Sequence, residues 1–520
     1  MRAEWRAEQR LPSAAVPTLN AVVAARAART PDGLAYIGDE HRVTWREYHE
    51  RANRIAAQLI EAGTQRGDRV AVLMPDGPSV HACYLGVERA GAVIVGIGPR
   101  AGRREVEHLL AVTDASVLLA PPDLAVDAVP AGVPRLSITE NEPPGDADAS
   151  AVVGRRPIDA DDLWLLNSTS GTTGLPKCVM HHQRRWSAFH EYAVAAADLS
   201  PDDVFMSALP APFGFGVWTA HVTPTLLGVP CVVSARFDAE ACLALIAREQ
   251  VSVLAAVSTQ FIMLLNSPEL GRHDLSSLRV LFTGGEMVPE QRATEFEDRT
   301  GCTVLQFYGS NETGALSRTT LADTRARRLR TAGRVIPEMQ VRLLADDGTD
   351  VTATGGPGIA ACRGALTCLG YYHDPDANAA LYTADGWMRT GDRCTVDTDG
   401  YLTVRGRASD FIIRGGKNIS AAQVEDEVAT HPTVALTAAV AMPDPVFGER
   451  VCVYVELYPN SDLDLDGLRD HLAARGVGKE LWPEHLVVMD ALPRSSGGKV
   501  AKGALRDDVR RRVGPGGTAP

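Results

Sequence analysis

The sequence predicts an α/β chain in two parts: a large N-terminal region of largely parallel sheets with helices, then a small α+β unit. Three observations predict it. From Thr18 onward, short apolar strands alternate with amphipathic helices, the pattern of βαβ units with parallel strands. The pattern changes at Gly406–Asp410, and a compact set of strands and a helix follows. The 520 residues also exceed one ordinary core, since domains run to about 100–200 residues.

The elements follow in order. Residues 22–29 read as a helix, and 34–37 and 42–44 as a hairpin around Gly38-Asp39. Residues 45–62 carry apolar side chains at helical spacing: Tyr48, Ala52, Ile55, Leu59 and Ile60. Residues 69–74 and 92–95 read as buried strands, with a helix over 80–90 between them. Two more short apolar runs, 163–166 and 251–257, read as buried strands. The stretch 121–162, rich in Pro, Asp, Gly and Ala, reads as a long surface connection. After Asp410 come a Gly-Gly turn, a helix at 421–430 and strands at 435–441 and 450–457. The division is 1–407, 408–510 and a disordered tail at 511–520. No repeat of solenoid period is present.

Composition excludes several classes. Hydrophobic residues make up 45% and charged residues 22%, a globular balance. The net charge of −13 argues against nucleic-acid binding, which depends on clustered cations. The nine cysteines are scattered, with no CxxC pair, so a disulfide framework or structural zinc is not expected and a reducing cytoplasm is. The charged start, Met1–Gln9, lacks the apolar core of a secretory signal. No apolar run approaches the roughly 20 residues of a membrane span.

One loop carries the strongest chemical signal. The strand at 163–166 leads into Asn167-Ser168-Thr169-Ser170-Gly171-Thr172-Thr173-Gly174-Leu175-Pro176-Lys177. Hydroxyls and bare backbone N–H groups can wrap phosphate oxygens, glycine lets the backbone approach, and lysine adds a point charge. Ser/Thr/Gly-rich stretches are often only polar surface loops, so the order of residues has to decide. A Walker loop needs GxxxxGK[ST]; here Pro176 precedes Lys177 and Cys178 follows it.

The string STSGTTGLPK resembles the phosphate loop of the adenylate-forming superfamily, which includes acyl-CoA synthetases, firefly luciferase and the adenylation domains of peptide synthetases. Cys178 stands where that family usually has glycine. Further strings resemble the family in the family's order. Phe307-Tyr308-Gly309-Ser310-Asn311-Glu312 resembles YGxTE, with Asn311 in place of threonine. Asp385–Asp392 resembles DGWxxTGD. Gly406–Asp410 resembles the hinge GRxxD, with Ser409 at the swivel position. Gly415-Gly416-Lys417-Asn418-Ile419 resembles GGxNI, with Glu425 in the place of its VE pair, and Pro493–Val500 resembles PRTPSGKV. The resemblance covers about 18–502. Singly, most of these strings are ordinary turns with solvated charges; the order in which they recur is what identifies the family.

The resemblance implies a fold and a reaction. The large domain would hold layered sheets, and the small one would rotate about a hinge at Ser409. A carboxylic acid would attack Mg·ATP to give acyl-AMP and pyrophosphate, and coenzyme A would then take the acyl group. Ser168, Thr169, Ser170, Gly171, Thr172, Thr173, Gly174 and Lys177 would cradle phosphate. Gly284, Gly285, Glu286 and Phe307–Asn311 would complete the nucleotide site, with Tyr308 on adenine, Asp392 on ribose and Arg407 on ribose or phosphate. Glu312 and Thr169 would hold Mg²⁺, a hard cation that prefers oxygen. Lys499 would bridge carboxylate and phosphate. Gly415, Gly416 and Lys417 would face coenzyme A after rotation.

By the same resemblance, Phe213, Gly214, Gly216, Val217, Trp218, Ala256 and Thr259 line the acyl site. Amino-acid-activating relatives carry Asp where this chain has Gly214, and a buried ammonium without a counter-charge is costly, so an α-amino acid is not expected. The small residues Gly214, Gly216, Ala255, Ala256, Gly284 and Gly285 predict a roomy apolar pocket for a bulky aromatic, alicyclic or polycyclic acid, unless the glycines serve the backbone alone. An enzyme that hands acyl-AMP to a partner enzyme or carrier protein is the alternative, because Ser409 lacks the charge of the family's Asp or Lys. A luciferase-like oxidoreductase shares the motifs. Lys499, Glu312 and Asp392 together argue against a non-catalytic binding protein.

Overall fold

A computed structural model of the protein describes residues 17–123, 133–139, 158–169, 176–286, 288–407, 410–414, 417–495 and 498–513. The expectations for Met1–Gln9, Ser170–Gly174, Ser409, Gly415, Gly416 and 514–520 lie outside the described residues.

Strands β1 (Leu34–Ile37) and β2 (Arg42–Thr44) form the predicted hairpin. The helix Trp45–Glu61 starts where Thr44 and Glu47 close a reciprocal capping box, an interaction worth about 1 kcal/mol. It buries Tyr48, Ala52, Ile55, Ala56 and Leu59 on one face. It packs on the helix Pro78–Arg89, which is buried along its whole length.

A six-stranded sheet follows: β3 (Arg69–Val72), β4 (Val93–Gly96), β5 (Ala115–Ala120), β6 (Arg135–Ser137), β7 (Leu165–Ser168) and β8 (Cys178–His181), in the order β6-β5-β3-β4-β7-β8. Only β8 runs antiparallel to its neighbour. Within the expected surface connection, Arg135–Ser137 adds an edge strand to this sheet.

The second sheet has nine strands. It joins β1 and β2 to β9 (Phe205–Ser207), β10 (Cys231–Val233), β11 (Val253–Ala255), β12 (Val280–Gly284), β13 (Thr303–Ser310), β14 (Gly314–Arg318) and β15 (Arg334–Val335), in the order β15-β14-β13-β12-β11-β9-β10-β1-β2. Its central strands are parallel and its edges antiparallel.

The alternation of side chains shows how the sheets stack. In β3, Val70 and Val72 join one core while Ala71 joins another; in β12, Val280 and Phe282 join the first core while Leu281 joins a third. The shared core therefore lies between the two sheets, filled by the helices Pro78–Arg89 and Gln183–Ala197 and the helical stretch 214–227. Outer helices cover the far faces, as expected for parallel strands buried on both sides.

A third sheet is antiparallel: β16 (Met339–Leu344), β17 (Gly358–Gly364), β18 (Met388–Val396) and β19 (Leu402–Arg407). The small C-terminal unit then holds β20 (Phe411–Arg414), β21 (Lys417–Ser420), β22 (Val434–Asp444), β23 (Gly448–Leu457) and β24 (His485–Val488). The helices Ala421–Val428 and Leu465–Ala474 cover one face, and Lys502–Val513 covers the other. That last helix corrects the expected tail at 511. Val509 and Val513, one turn apart, are both buried against Val440 and Tyr454, so helix continues through Val513.

Among the described residues, no helix is long and apolar enough to cross a membrane. All nine cysteines are free and buried.

Candidate active site

The phosphate loop is closed by a ladder. β7 and β8 pair from Leu165↔His181 to Ser168↔Cys178, and the Thr169 amide donates to the Lys177 carbonyl at 3.0 Å. The chain thus leaves and re-enters one antiparallel pair, with the hydroxyl-rich segment between. Ser168 is a buried residue at the end of β7. Lys177 is exposed, its ammonium 5.0 Å from the Tyr371 ring centroid. Cys178 is packed in a core cluster, and burial pushes its thiol up to about 12.

The turn between β13 and β14 holds the second group. Gly309 passes so close to the Gly314 carbonyl that a Cβ would lie 1.7 Å from it, so glycine is required. The Ser310 hydroxyl accepts from the amides of Glu312 and Thr313, both at 3.2 Å, and so builds the turn. Glu312 Oε1 accepts from the Tyr371 hydroxyl at 2.8 Å. Asn311 Oδ1 accepts from Asn167 Nδ2 at 3.2 Å. That bond ties the strand end preceding Thr169 to the turn carrying Glu312.

Asp392 and Arg407 face each other across β18 and β19. Arg407 Nε lies 3.4 Å from Asp392 Oδ1, and the Tyr308 hydroxyl donates to Oδ2 at 2.7 Å. Burial raises the Asp392 carboxyl above its ordinary range; Arg407 and the Tyr308 hydroxyl oppose that.

Lys499 arrives from the C-terminal unit on a hairpin tip. Ser495 N donates to the Lys499 carbonyl at 2.7 Å, and Gly498, at φ 83°, makes the turn. The Lys499 ammonium donates to the Gly285 carbonyl at 2.5 Å. Gly285 has φ 79°, and a Cβ there would sit 2.9 Å from Lys499 Nζ. Burial lowers the lysine's pKa; Glu286 and Asp392 raise it, and Arg407 lowers it further. Glu286 is held by the Thr259 amide at 3.1 Å. A cavity of about 530 Å³ between the large and small parts is lined by Thr259, Gly285, Tyr308, Asp392, Arg407 and Lys499. Residues far apart in sequence thus converge on one cleft.

Of the two roles open to the small residues, backbone geometry accounts for Gly216 and Gly284. A Cβ on Gly216 would lie 2.1 Å from the Pro210 carbonyl oxygen, and one on Gly284 would lie 2.2 Å from that of Phe307. One on Gly214 would meet Asn311 Oδ1 at 2.3 Å. These glycines admit neighbouring backbone and a carboxamide. Ala255 and Ala256 are buried in the cores on opposite faces of the second sheet. The same region is filled with aromatic rings. Trp218, on the buried π-helical turn Val217–Val222, stacks on Phe282 at 5.6 Å and meets Phe307 edge-on at 4.7 Å. Phe213 caps the start of this helical stretch and is half-buried.

Other expected residues have structural work. Glu425 accepts from the Ala439 amide at 2.6 Å and pairs with Lys502 at 2.7 Å, bracing the small unit. Lys417 is exposed, 3.6 Å from Glu480.

Sequence reasoning missed His181 and Arg185, which are buried beside Asn167. It also missed Asn266 and Tyr458, which join the two parts: Asn266 donates to the Ala435 carbonyl at 3.2 Å and accepts from the Tyr458 hydroxyl at 2.6 Å. Arg185 gave little signal in the sequence, because Arg184 beside it is a second cation in the same helical turn.

Comparison with known proteins agrees with this geometry. Residues 23–372 match the family model "AMP-binding enzyme", and 423–499 match "AMP-binding enzyme C-terminal domain". Pyochelin synthase PchD of Pseudomonas aeruginosa (strain UCBPP-PA14) is 33% identical, covering 94% of this chain and 92% of that protein. Feruloyl-CoA synthase of an Amycolatopsis species is 34% identical, covering 94% and 98%. The crystal structure of ATP-bound MatB from Rhodopseudomonas palustris superposes with a TM-score of 0.82 at 26% identity, covering 95% and 99%. The chain therefore belongs to the AMP-binding enzyme family, as an adenylate-forming ligase of the acyl-CoA ligase type.

Proposed function

We propose that this enzyme adenylates a planar aromatic carboxylic acid and passes the acyl group to coenzyme A. The observation that carries the adenylation step is the position of Lys499, whose ammonium reaches the Gly285 carbonyl inside the cleft lined by Tyr308, Asp392 and Arg407. The acid class rests on the rings of Trp218, Phe215 and Phe307, and on the likeness to a feruloyl-CoA synthase. Flat rings suit a planar acid, since aromatic pairs favour offset or edge-to-face contact.

A carboxylate is already nucleophilic at neutral pH, so the obstacle is charge rather than proton transfer. The acid approaches a polyphosphate, and negative charge grows on the α-phosphate. Catalysis is then positioning and electrostatic stabilisation. Ser170, Gly171, Thr172, Thr173 and Gly174 wrap phosphate with Lys177. Tyr308 flanks adenine, and Asp392 and Arg407 take ribose. Lys499 bridges acid and α-phosphate. Glu312 and Thr169 offer only oxygen, a donor set that fits Mg²⁺, and Tyr371 already orients one Glu312 oxygen. When bound, the ion neutralises phosphate charge.

For the second half-reaction, the small unit, taken as 408–513, swings about Ser409. Lys499 leaves and Gly415, Gly416 and Lys417 face the thiol. A carrier protein is the second reading, favoured by the likeness to a pyochelin synthase. The free, buried cysteines support a cytoplasmic setting.

The test is acid-dependent pyrophosphate exchange with benzoate, a cinnamate, octanoate, acetate and phenylalanine, repeated with coenzyme A. An aromatic acid is expected to give the highest kcat/KM, with thioester formed when coenzyme A is present. A preference for acetate or octanoate would overturn the acid class. Exchange without thioester would transfer the second step to a carrier.

A further inference from the structure

Arg185 is wholly buried in the first turn of the helix Gln183–Ala197. Its Nη1 contacts His181 Nδ1 at 2.5 Å, and its Nε and Nη2 have no hydrogen-bond partner among the described residues. The guanidinium packs near the rings of Trp186 and Phe189. Burial pulls its pKa down to about 10, so it stays charged at neutral pH, and Glu312 is among the groups whose field opposes the fall. A buried cation without a bonded carboxylate costs several kcal/mol. A side chain that only filled this space would be apolar.

The bonds leading away from Arg185 explain why a cation stands there. A guanidinium can only donate. His181 Nδ1 must therefore accept, which makes the imidazole neutral with its proton on Nε2. Burial and Arg185 both push its pKa well below the ordinary value, in agreement. His181 Nε2 lies 2.7 Å from Asn167 Oδ1, so that oxygen accepts. The Asn167 amide is then oriented, and its Nδ2 donates to Asn311 Oδ1 at 3.2 Å. Asn311 Oδ1 is thereby occupied, which leaves its Nδ2, a donor by necessity, for another partner. Gly214 leaves room for the Asn311 oxygen. Each step follows from the fixed polarity of the guanidinium rather than from the drawn orientation of an imidazole or amide.

We propose that Arg185, His181 and Asn167 are positioning residues whose fixed polarity holds Asn311 Nδ2 as a hydrogen-bond donor to the phosphates of ATP. The proposal rests on the adenylation reading above. A threonine at position 311 would not need the relay, because a hydroxyl rotates to donate wherever an acceptor lies.

The closing experiment is a double-mutant cycle with a spectroscopic arm. Pyrophosphate exchange is measured for wild type, Arg185→Leu, Asn311→Thr and the double variant. Arg185→Leu is expected to lower kcat/KM for ATP about tenfold in the wild-type background, the effect of losing a charge-assisted bond. In the Asn311→Thr background the same change is expected to cost less than about threefold. Equal losses in both backgrounds would overturn the relay. The second arm reads ¹⁵N shifts of histidine-labelled wild-type enzyme without ATP, with His181 assigned through His181→Gln. A neutral ring protonated at Nε2 is expected. A ring protonated at Nδ1, or a cationic one, would overturn the proposal even where a variant fails to fold or exchange is absent. Absent exchange in wild type, with the expected tautomer present, would count against the adenylation reading alone.

Discussion

The Tyr308 hydroxyl donates to Asp392 Oδ2 at 2.7 Å, so the aromatic residue expected to flank adenine also holds the carboxylate expected to take ribose. The bond favours the ionised form of a carboxyl that burial raises. In Tyr308→Phe that support is lost and the Asp392 pKa rises further. Ionised Asp392 is the form that accepts ribose hydroxyls, so the acidic limb of the kcat/KM profile for ATP should move to higher pH. The pH profile of pyrophosphate exchange checks this; an unmoved limb with a lower plateau would show that only the ring mattered.

Lys499 should set activity against stability. Its folded pKa is lowered, with burial the largest cause. Stability tied to a lowered pKa is present above the ordinary lysine value and lost as pH falls through the folded one. At neutral pH the partly buried ammonium is therefore a cost. Lys499→Met should reduce exchange by about 10²–10³-fold while thermal denaturation shows an unchanged or higher Tm. Glu286→Gln removes the strongest interaction that raises this pKa, so the alkaline limb of activity should move to lower pH. A limb that stayed in place would detach Glu286 from Lys499.

The Asn266 joint should tune the balance between the two half-reactions. Asn266 and Tyr458 bond across the large and small parts in the arrangement that seats Lys499 in the cleft. A hydrogen bond is worth about 1 kcal/mol net, a factor of about five in an equilibrium. Tyr458→Phe should slow single-turnover adenylation by up to about that factor and speed thioester formation from preformed acyl-AMP. Slowing of both steps would mean that the joint serves folding only.

The sequence made local features legible and left distant ones hidden. Helical spacing of Tyr48, Ala52, Ile55 and Leu59 marked the buried face of Trp45–Glu61, because that pattern depends only on the helix itself. The ordered strings likewise identified Asp392, Arg407 and Lys499 as partners of one cleft. The glycines left two roles open, pocket or backbone, for a different reason. What Gly216 and Gly284 accommodate is backbone from Pro210 and Phe307, which no local pattern reveals. The Asn167–Asn311 bond spans 144 positions and exists only because the β7 end meets the β13–β14 turn.

Gly214 supplies the last prediction. Its Cα faces Asn311 so closely that an alanine Cβ would lie 2.3 Å from Oδ1 and 3.2 Å from the Trp186 ring. Gly214→Ala must therefore displace the Asn311 carboxamide, since the indole is held in a stack with Phe189. If Gly214 only widened the acyl site, alanine would raise KM for the acid and spare ATP. If it makes room for Asn311, alanine should lower kcat/KM for ATP about tenfold, as expected for losing one charge-assisted bond. Shortening the obstructing side chain should recover part of the loss, so Gly214→Ala/Asn311→Ser should exceed Gly214→Ala in exchange rate. Steady-state exchange with ATP and acid varied separately distinguishes the two roles, and a loss confined to the acid's KM would return Gly214 to the acyl pocket.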